Sequence, residues 1–243
     1  MAEIRIGCSG WSYHHWRGAF YPLSVRAADR LEFYARRFDT VEINGSFYRL
    51  PSDAAVRHWA AAAPARFVFS WKVSRFISHN KKLKDCAEPV ERVFSRMAPL
   101  GKTAGPALVQ LPPMLKRDEA RLTEFLELMR GRGRIAFEFR RPDWYAASVM
   151  QVLADYGAAL CISDHAAAPA PWEITTNFLY LRAHGPGGRY HGRYPRPQLQ
   201  RWAERMRAAA EGGRDVYGYF DNDVKAAAPA DAQALKALLA RGG

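Results

Sequence analysis

Short apolar segments alternate with segments of helical periodicity along the whole chain. The apolar segments are rich in β-branched and aromatic residues and are bounded by Gly, Pro or polar residues, which is typical of buried β-strands. We predict eight strands from this pattern, over residues 4–8, 40–44, 67–73, 107–111, 134–139, 158–162, 178–183 and 216–220.

The segments between these strands place apolar residues on one side of a helix. Over residues 26–38 the stripe contains Leu31, Tyr34 and Phe38, and residues 119–130 repeat the pattern. Eight strands alternating with helices predict an α/β fold, a single (β/α)8 TIM barrel in one domain over residues 1–243. Residues 163–177 are rich in Ala and Pro, so the helix between strands six and seven is predicted to be short or missing.

A doubly wound open sheet is the alternative architecture. Residues 7–11, which follow the first strand, read Gly-Cys-Ser-Gly-Trp and lack the glycine spacing of a dinucleotide-binding turn. The barrel is therefore the preferred interpretation.

Alternation within the strands predicts which side chains point into the barrel. In the fifth strand Ile135, Phe137 and Phe139 share the face that must pack on helices, so Glu138 points inward near the C-terminal end. Barrel enzymes carry their chemistry at that end. The same alternation directs inward Thr40, Glu42, Asn44, Val68, Ser70, Lys72, Gln110, Tyr180, Arg182 and His184.

The inward charges suggest either a functional site or a structural network. Burying each charge costs several kcal/mol unless it is paired. Glu42 and Glu138 could pair with Lys72, Arg140 and Arg182 in an ionic layer below the rim. Because polar groups gather at one end of the barrel, we favour a site in which Glu138, Glu42 and Lys72 are the catalytic candidates.

The charge balance is compatible with an anionic ligand but does not require one. Lys and Arg number 36 against 24 Asp and Glu, a net charge of +12, which attracts small anions or nucleic acid; a generally arginine-rich proteome would explain it equally well. The glycine-rich stretch 184–194 either folds over such an anion or is a solvated loop. Candidate substrate-binding residues are Trp11, Tyr13, Asn44, Tyr48, Gln110, Arg140, Trp144, Arg182, His184 and Asn222.

Known catalytic templates leave the reaction open. No HExxH, GxSxG or P-loop sequence occurs. Possible donors to a divalent metal are Glu138, Asp164, His184 and Asp221. Alternatively, Glu138 and Glu42 form an acid/base pair as in glycoside hydrolysis. Hydrolysis of a phosphodiester or glycosidic bond is thus one hypothesis, and a non-catalytic barrel that binds an anion is the other.

Cysteine usage and hydropathy bear on the compartment. Cys8, Cys86 and Cys161 are far apart and form no disulfide framework, which fits a reducing compartment. No apolar run approaches the ~18 residues of a membrane span, and the N-terminus lacks the apolar region of a signal peptide. We expect a cytoplasmic protein that does not contact membranes, and nothing in the sequence indicates a protein partner.

The chain contains several long motifs: residues 6–13 with Trp16, Gly18 and 20–22; residues 41–49; residues 110–113; residues 137–140 with Trp144; residues 182–185; and residues 219–222. Together these motifs resemble the YecE-like family, a group classed as a domain of unknown function (DUF72). The resemblance covers essentially the whole chain and implies a TIM barrel with no established reaction. It also implies a distant likeness to endonuclease IV, a metal-assisted hydrolase, although the chain has too few His and carboxylate positions for that enzyme's trinuclear zinc cluster.

Overall fold

A parallel barrel forms the centre of the computed structural model, which describes residues 2–240. Its sheet has the order β1-β8-β7-β6-β5-β4-β3-β2. The sheet closes where Ser9 bridges Glu42 in parallel register and the Gly10 amide donates to the Glu42 carbonyl at 2.8 Å. The strands are β1 (Ile4–Cys8), β2 (Thr40–Ile43), β3 (Val68–Lys72), β4 (Ala104–Gln110), β5 (Ile135–Glu138), β6 (Ala159–Ser163), β7 (Phe178–Ala183) and β8 (Asp215–Phe220). The predicted barrel is confirmed.

Helices join most of the strands. They are α1 (Arg30–Ala35), α2 (Gly45–Tyr48), α3 (Asp53–Ala62), α4 (Ala87–Met97), α5 (Glu119–Met129), α6 (Ala147–Asp155), α7 (Arg196–Glu211) and α8 (Ala227–Ala240). Between β6 and β7 the chain, described throughout, forms no helix, as the composition of that segment predicted. Over residues 2–240, no helix combines the length and the apolar character needed to cross a membrane.

Local sequence explains where the helices begin and end. The Ser52 hydroxyl accepts the Ala55 amide at 3.2 Å and caps α3. The helix predicted over residues 26–38 is shorter in the structure, because a 3₁₀ turn precedes α1 and the Arg37 and Phe38 amides both bond to the Tyr34 carbonyl. That tight turn brings the chain to the start of β2.

The barrel interior contains two layers. The lower layer includes Leu108, Ala136, Tyr180 and Tyr219, and the Tyr219 hydroxyl lies 2.7 Å from the hydroxyls of both Thr40 and Ser70. Two positions further along each strand, the alternation places an inward residue nearer the C-terminal rim. These rim-side residues are Glu42, Lys72, Gln110, Glu138, Arg182 and Asp221, all of them buried. The inward faces predicted for β2, β3, β4, β5 and β7 are therefore confirmed.

Candidate active site at the C-terminal mouth of the barrel

Arg182 is the centre of the charged layer. Its Nε donates to both carboxylate oxygens of Glu42 at 3.1 Å, and its Nη1 donates to Glu138 Oε2 at 2.8 Å. Its Nη2 donates to Glu42 Oε1 at 2.9 Å and to Asp221 Oδ2 at 2.8 Å. Every nitrogen of this fully buried guanidinium therefore has a carboxylate partner. We call Glu42, Glu138, Arg140, Arg182 and Asp221 the ionic layer.

The two predicted catalytic carboxylates are held inside this layer. Glu42 accepts hydrogen bonds from the Ser9 hydroxyl at 2.5 Å and the Tyr180 hydroxyl at 2.6 Å, in addition to Arg182. Burial opposes the ionised form of Glu138, but Arg140 and Arg182 outweigh it and hold the pKa of Glu138 well below its ordinary value. Glu138 is therefore an ionised acceptor, unsuited to donate a proton at neutral pH.

Arg140 connects the ionic layer to the rim. One terminal nitrogen lies 2.6 Å from Glu138 Oε1, and the other donates to the Tyr190 hydroxyl at 2.8 Å. Arg140 and Arg182 both approach His184 Nε2, at 3.1 and 3.0 Å, so this ring nitrogen acts as an acceptor. Arg140 is 6% exposed, yet its Nε has no hydrogen-bond partner in the described part of the chain.

Lys72 differs from the arginines around it. Its side chain is buried, and its Nζ lies 4.1 Å from the centre of the Phe47 ring. No residue between positions 2 and 240 forms a hydrogen bond or ion pair with Nζ, so the predicted pairing with Glu42 or Glu138 is not observed. The physical reason is that the two arginines already occupy those carboxylates. Burial, together with the positive charge of Arg182, lowers the pKa of Lys72 to about 8.

The glycine-rich stretch packs across this mouth. The Tyr190 amide bonds to the His184 carbonyl, and the Tyr190 ring lies edge-on to His184 and His165 at 5.1 and 5.7 Å. Tyr190 has a positive φ of 66°, and Gly185 and Gly188 also adopt positive φ. This conformation brings one aromatic side chain of the stretch over the arginines of the rim.

Three more of the predicted site residues are Trp144, Gln110 and Asn222. Trp144 is fully buried beside β5, where it stacks on Phe139 at 5.0 Å and donates to the Leu115 carbonyl. Gln110 accepts a weak bond from Arg140 at 3.4 Å. The Asn222 amide group donates to the Gly192 carbonyl and to Asp231, and so supports the glycine-rich stretch.

The four possible metal donors do not fit a divalent ion. Glu138 and Asp221 direct their oxygens at Arg182, and the Asp164 carboxylate accepts the His184 amide and the Tyr194 hydroxyl. Over residues 2–240, no three His, Cys, Asp or Glu side chains form a group suited to a metal. Because a guanidinium fills the space between the carboxylates, we derive no metal-dependent step.

A cavity of about 970 Å³ opens at the C-terminal ends of β1 and β2. Four predicted substrate-binding residues line it: Trp11, Tyr13, Asn44 and Tyr48. The Asn44 Oδ1 is buried and has no partner among residues 2–240. Sequence reasoning missed Trp59, whose ring meets Trp11 edge-on at 5.4 Å, and Arg49. Arg49 ends the motif 41–49 and could have been found there, whereas Trp59 lies on α3 and carried no signal.

The helix α2 separates the cavity from Lys72. Tyr48 lines the cavity, while the preceding residue, Phe47, packs on the Lys72 amine. The Ser46 hydroxyl donates to the carbonyls of Ile43 and Lys72 at 2.9 and 2.7 Å. One short helix thus fixes the position of both features.

Comparisons with known proteins identify relatives. The family described as "Protein of unknown function DUF72" matches residues 5–243. UPF0759 protein YecE of Escherichia coli K12 is 33% identical over 144 residues, 59% of this chain and 50% of that protein. The match therefore spans about half the length of this curated relative.

Two further relatives match over most of their length. UPF0759 protein YunF of Bacillus subtilis 168 is 22% identical over 90% of this chain and 89% of its own. The crystal structure of a DUF72 family protein from Thermotoga maritima superposes with a TM-score of 0.88 at 25% identity, over 98% of this chain and 99% of that one.

Proposed function

We propose, on the premise that the chain belongs to the DUF72 family, that it is an enzyme acting on a small anionic molecule at the C-terminal mouth of its barrel. The family description names no reaction, so the proposal rests on geometry. Its candidate groups are the Lys72 amine and the rim guanidinium of Arg140; the cavity beside β1 and β2 lies on the other side of α2.

The unpaired Lys72 amine is the observation that carries the proposal. Its side chain is 5% exposed, and no described residue supplies a counter-ion. A buried, unpaired charge costs several kcal/mol. The same layer contains three carboxylates. If the role of Lys72 were structural, we would expect one of them to form an ion pair with its amine. A ligand that supplies the missing anion, or that reacts with the amine, explains why the cost is tolerated.

Two further donors support an anionic ligand. The Arg140 Nε is buried without a partner, although the rest of that guanidinium is held by Glu138 and Tyr190. Arg49 lines the cavity. A guanidinium binds carboxylate and phosphate groups through charge-assisted hydrogen bonds. A ligand near the mouth would therefore meet positive groups.

The cavity on the other side of α2 from Lys72 has dimensions that suit a small molecule more than a nucleic acid. Its volume of about 970 Å³ lies at the upper end of the range for small-molecule sites, and aromatic side chains contribute much of its lining. Nucleic-acid binding instead would give an affinity that falls steeply with salt, because each neutralised phosphate releases counter-ions.

Binding of defined anions tests the proposal. We would measure the melting temperature and calorimetric affinity with inorganic phosphate, glyoxylate and a single-stranded oligonucleotide. The variants are Lys72→Met and, as a matched control, Lys116→Met, which removes an exposed lysine. We expect one of the small anions to bind, with affinity reduced about tenfold or more by Lys72→Met and unchanged by Lys116→Met.

Two outcomes would contradict the proposal. If the anions bind wild type and Lys72→Met with equal affinity, the Lys72 amine is not part of the binding site. If only the oligonucleotide binds, and its affinity falls steeply with salt, the ligand is a nucleic acid and not a small molecule.

A further inference from the structure

We infer that Lys72 is a nucleophile that forms an imine with the carbonyl group of a small anionic aldehyde or ketone. This inference rests on the function proposed above and names its substrate class. An amine that only binds an anion works best fully protonated, whereas an amine that attacks a carbonyl must lose its proton.

The backbone of Lys72 is held firmly, while its amine has no hydrogen-bond or ion-pair partner among the residues that the structure describes. Lys72 is the last residue of β3, and its carbonyl accepts the Ser46 hydroxyl at 2.7 Å. The Phe47 ring lies against Nζ at 4.1 Å. An aromatic neighbour attracts the ammonium only weakly compared with a carboxylate. The amine is therefore positioned but not neutralised.

Charges facing Lys72 come from several elements. Arg182 on β7 opposes its protonation, while Glu42 on β2, Glu138 on β5 and Asp221 after β8 favour it. His79, in the turn after β3, is itself kept neutral, because burial and the nearby Lys72 and Arg75 lower its pKa to about 4. The carboxylates form ion pairs with the arginines, and burial is the largest influence on the pKa of Lys72, which it lowers. A desolvated lysine beside another cation is a recognised way to obtain a reactive amine.

Because its pKa is lowered, a large fraction of the Lys72 amine is neutral near pH 7. With a pKa of about 8, about one tenth of Lys72 is unprotonated at pH 7, against less than about 0.1% for an ordinary lysine. The exposed lysines, with which modification of Lys72 can be compared, are Lys82, Lys84, Lys102, Lys116 and Lys225.

The proposed step balances without a further reactant. The Nζ lone pair forms a C–N bond to the carbonyl carbon, and the C=O π electrons move to oxygen. Both amine protons end on that oxygen, the C–O bond breaks, and water leaves the C=N imine. The carboxylate of the substrate would be attracted by the Arg140 guanidinium, which reaches the rim at Tyr190.

Reductive trapping tests the inference on the intact protein. Wild type is incubated at pH 7 with glyoxylate, the imine is reduced with borohydride, and carboxymethyl-lysine is located by peptide mass spectrometry. Acetaldehyde serves as the neutral aldehyde of similar size, and Lys116→Met and Lys72→Met as matched variants. We expect Lys72 to be modified about tenfold or more over each exposed lysine, with glyoxylate favoured over acetaldehyde.

The outcomes separate this inference from the proposed function. Modification spread evenly over exposed lysines, with Lys72 unmodified, overturns the imine. If glyoxylate or phosphate still raises the wild-type melting temperature in that case, the anion site stands without the imine. If neither binds and Lys72 is unmodified, both fail. Mapping in wild type does not depend on whether Lys72→Met folds.

Discussion

Arg182 and Lys72 are both cations buried in the same barrel mouth, yet their surroundings are opposite. Arg182 donates to three carboxylates, so each nitrogen of its guanidinium has a hydrogen-bond acceptor. Lys72 meets an aromatic ring and no carboxylate within the described chain. The first arrangement is what a stable core requires, and the second is what a stable core avoids.

This difference separates the structural part of the mouth from the part that we propose to be functional. The ionic layer fixes the strands β2, β5, β7 and β8 relative to one another, because its bonds join residues far apart in the chain. Lys72 contributes nothing comparable. Residues that lower stability without structural benefit are frequent at active sites, and Lys72 has that character.

Removing Arg182 should have the largest effect. Arg182→Met leaves Glu42, Glu138 and Asp221 buried together without their common partner. We expect the free energy of unfolding to fall by about 3–5 kcal/mol, measured by urea denaturation. A loss below about 1 kcal/mol would mean that the layer is not structural.

Removing the Lys72 charge should stabilise the protein. With the pKa lowered to about 8 in the folded state against about 10.4 when unfolded, protonation disfavours the fold by about 3 kcal/mol below pH 8. Lys72→Met should therefore gain about 2–3 kcal/mol at pH 7. Because the folded state releases this proton first, wild-type stability rises relative to the variant between pH 8 and 10.4.

The pH series supplies the control for that variant. The stability difference between Lys72→Met and wild type should shrink as pH rises, while that of Lys116→Met should stay flat. A destabilised Lys72→Met, with a difference independent of pH, would show that Lys72 is an ordinary packed residue.

Glu138→Gln should have a smaller effect, of opposite sign. The amide keeps the volume but weakens the bonds from Arg140 and Arg182, so we expect a loss of about 2 kcal/mol at pH 7. The pKa of Glu138 is held well below its ordinary value, so its contribution is present above about pH 4.3 and is lost as pH falls further. Urea melts should show the two proteins converging in acid; a constant difference would contradict this.

Tyr190→Phe should have the smallest effect. It removes one hydroxyl that accepts from Arg140 at 2.8 Å at a partly exposed position. We expect a loss of about 0.5–1 kcal/mol, and faster modification of Lys72 if the ring covers the mouth. Unchanged modification would show that the glycine-rich stretch does not limit access.

Much of the barrel was predictable because strand alternation is a strong local signal. The apolar faces of β5 and β2 required Glu138 and Glu42 to point inward, and the composition of residues 163–177 predicted a short or missing helix. An ionic layer was predictable from the cost of burying unpaired charge, with Lys72, Arg140 and Arg182 as its possible cations.

Pairing across the barrel was not predictable. Whether Lys72 or Arg182 pairs with the carboxylates depends on the distance that each side chain must span across the barrel, between strands that are far apart in sequence. Trp144 was assigned to the site because it follows Arg140 closely, but its indole packs beneath β5 on Phe139. The cavity involves Trp59, placed by helix packing that no local pattern encodes.

The titration of the Lys72 amine tests the central claim most directly. Lysine side chains carrying isotope labels would be followed by NMR from pH 6 to 11, with Lys72→Met assigning the resonance. We predict that the Lys72 signal titrates near pH 8, well below the exposed lysines. A midpoint at or above about 10.4 would mean that the amine has a counter-ion, and would contradict the account.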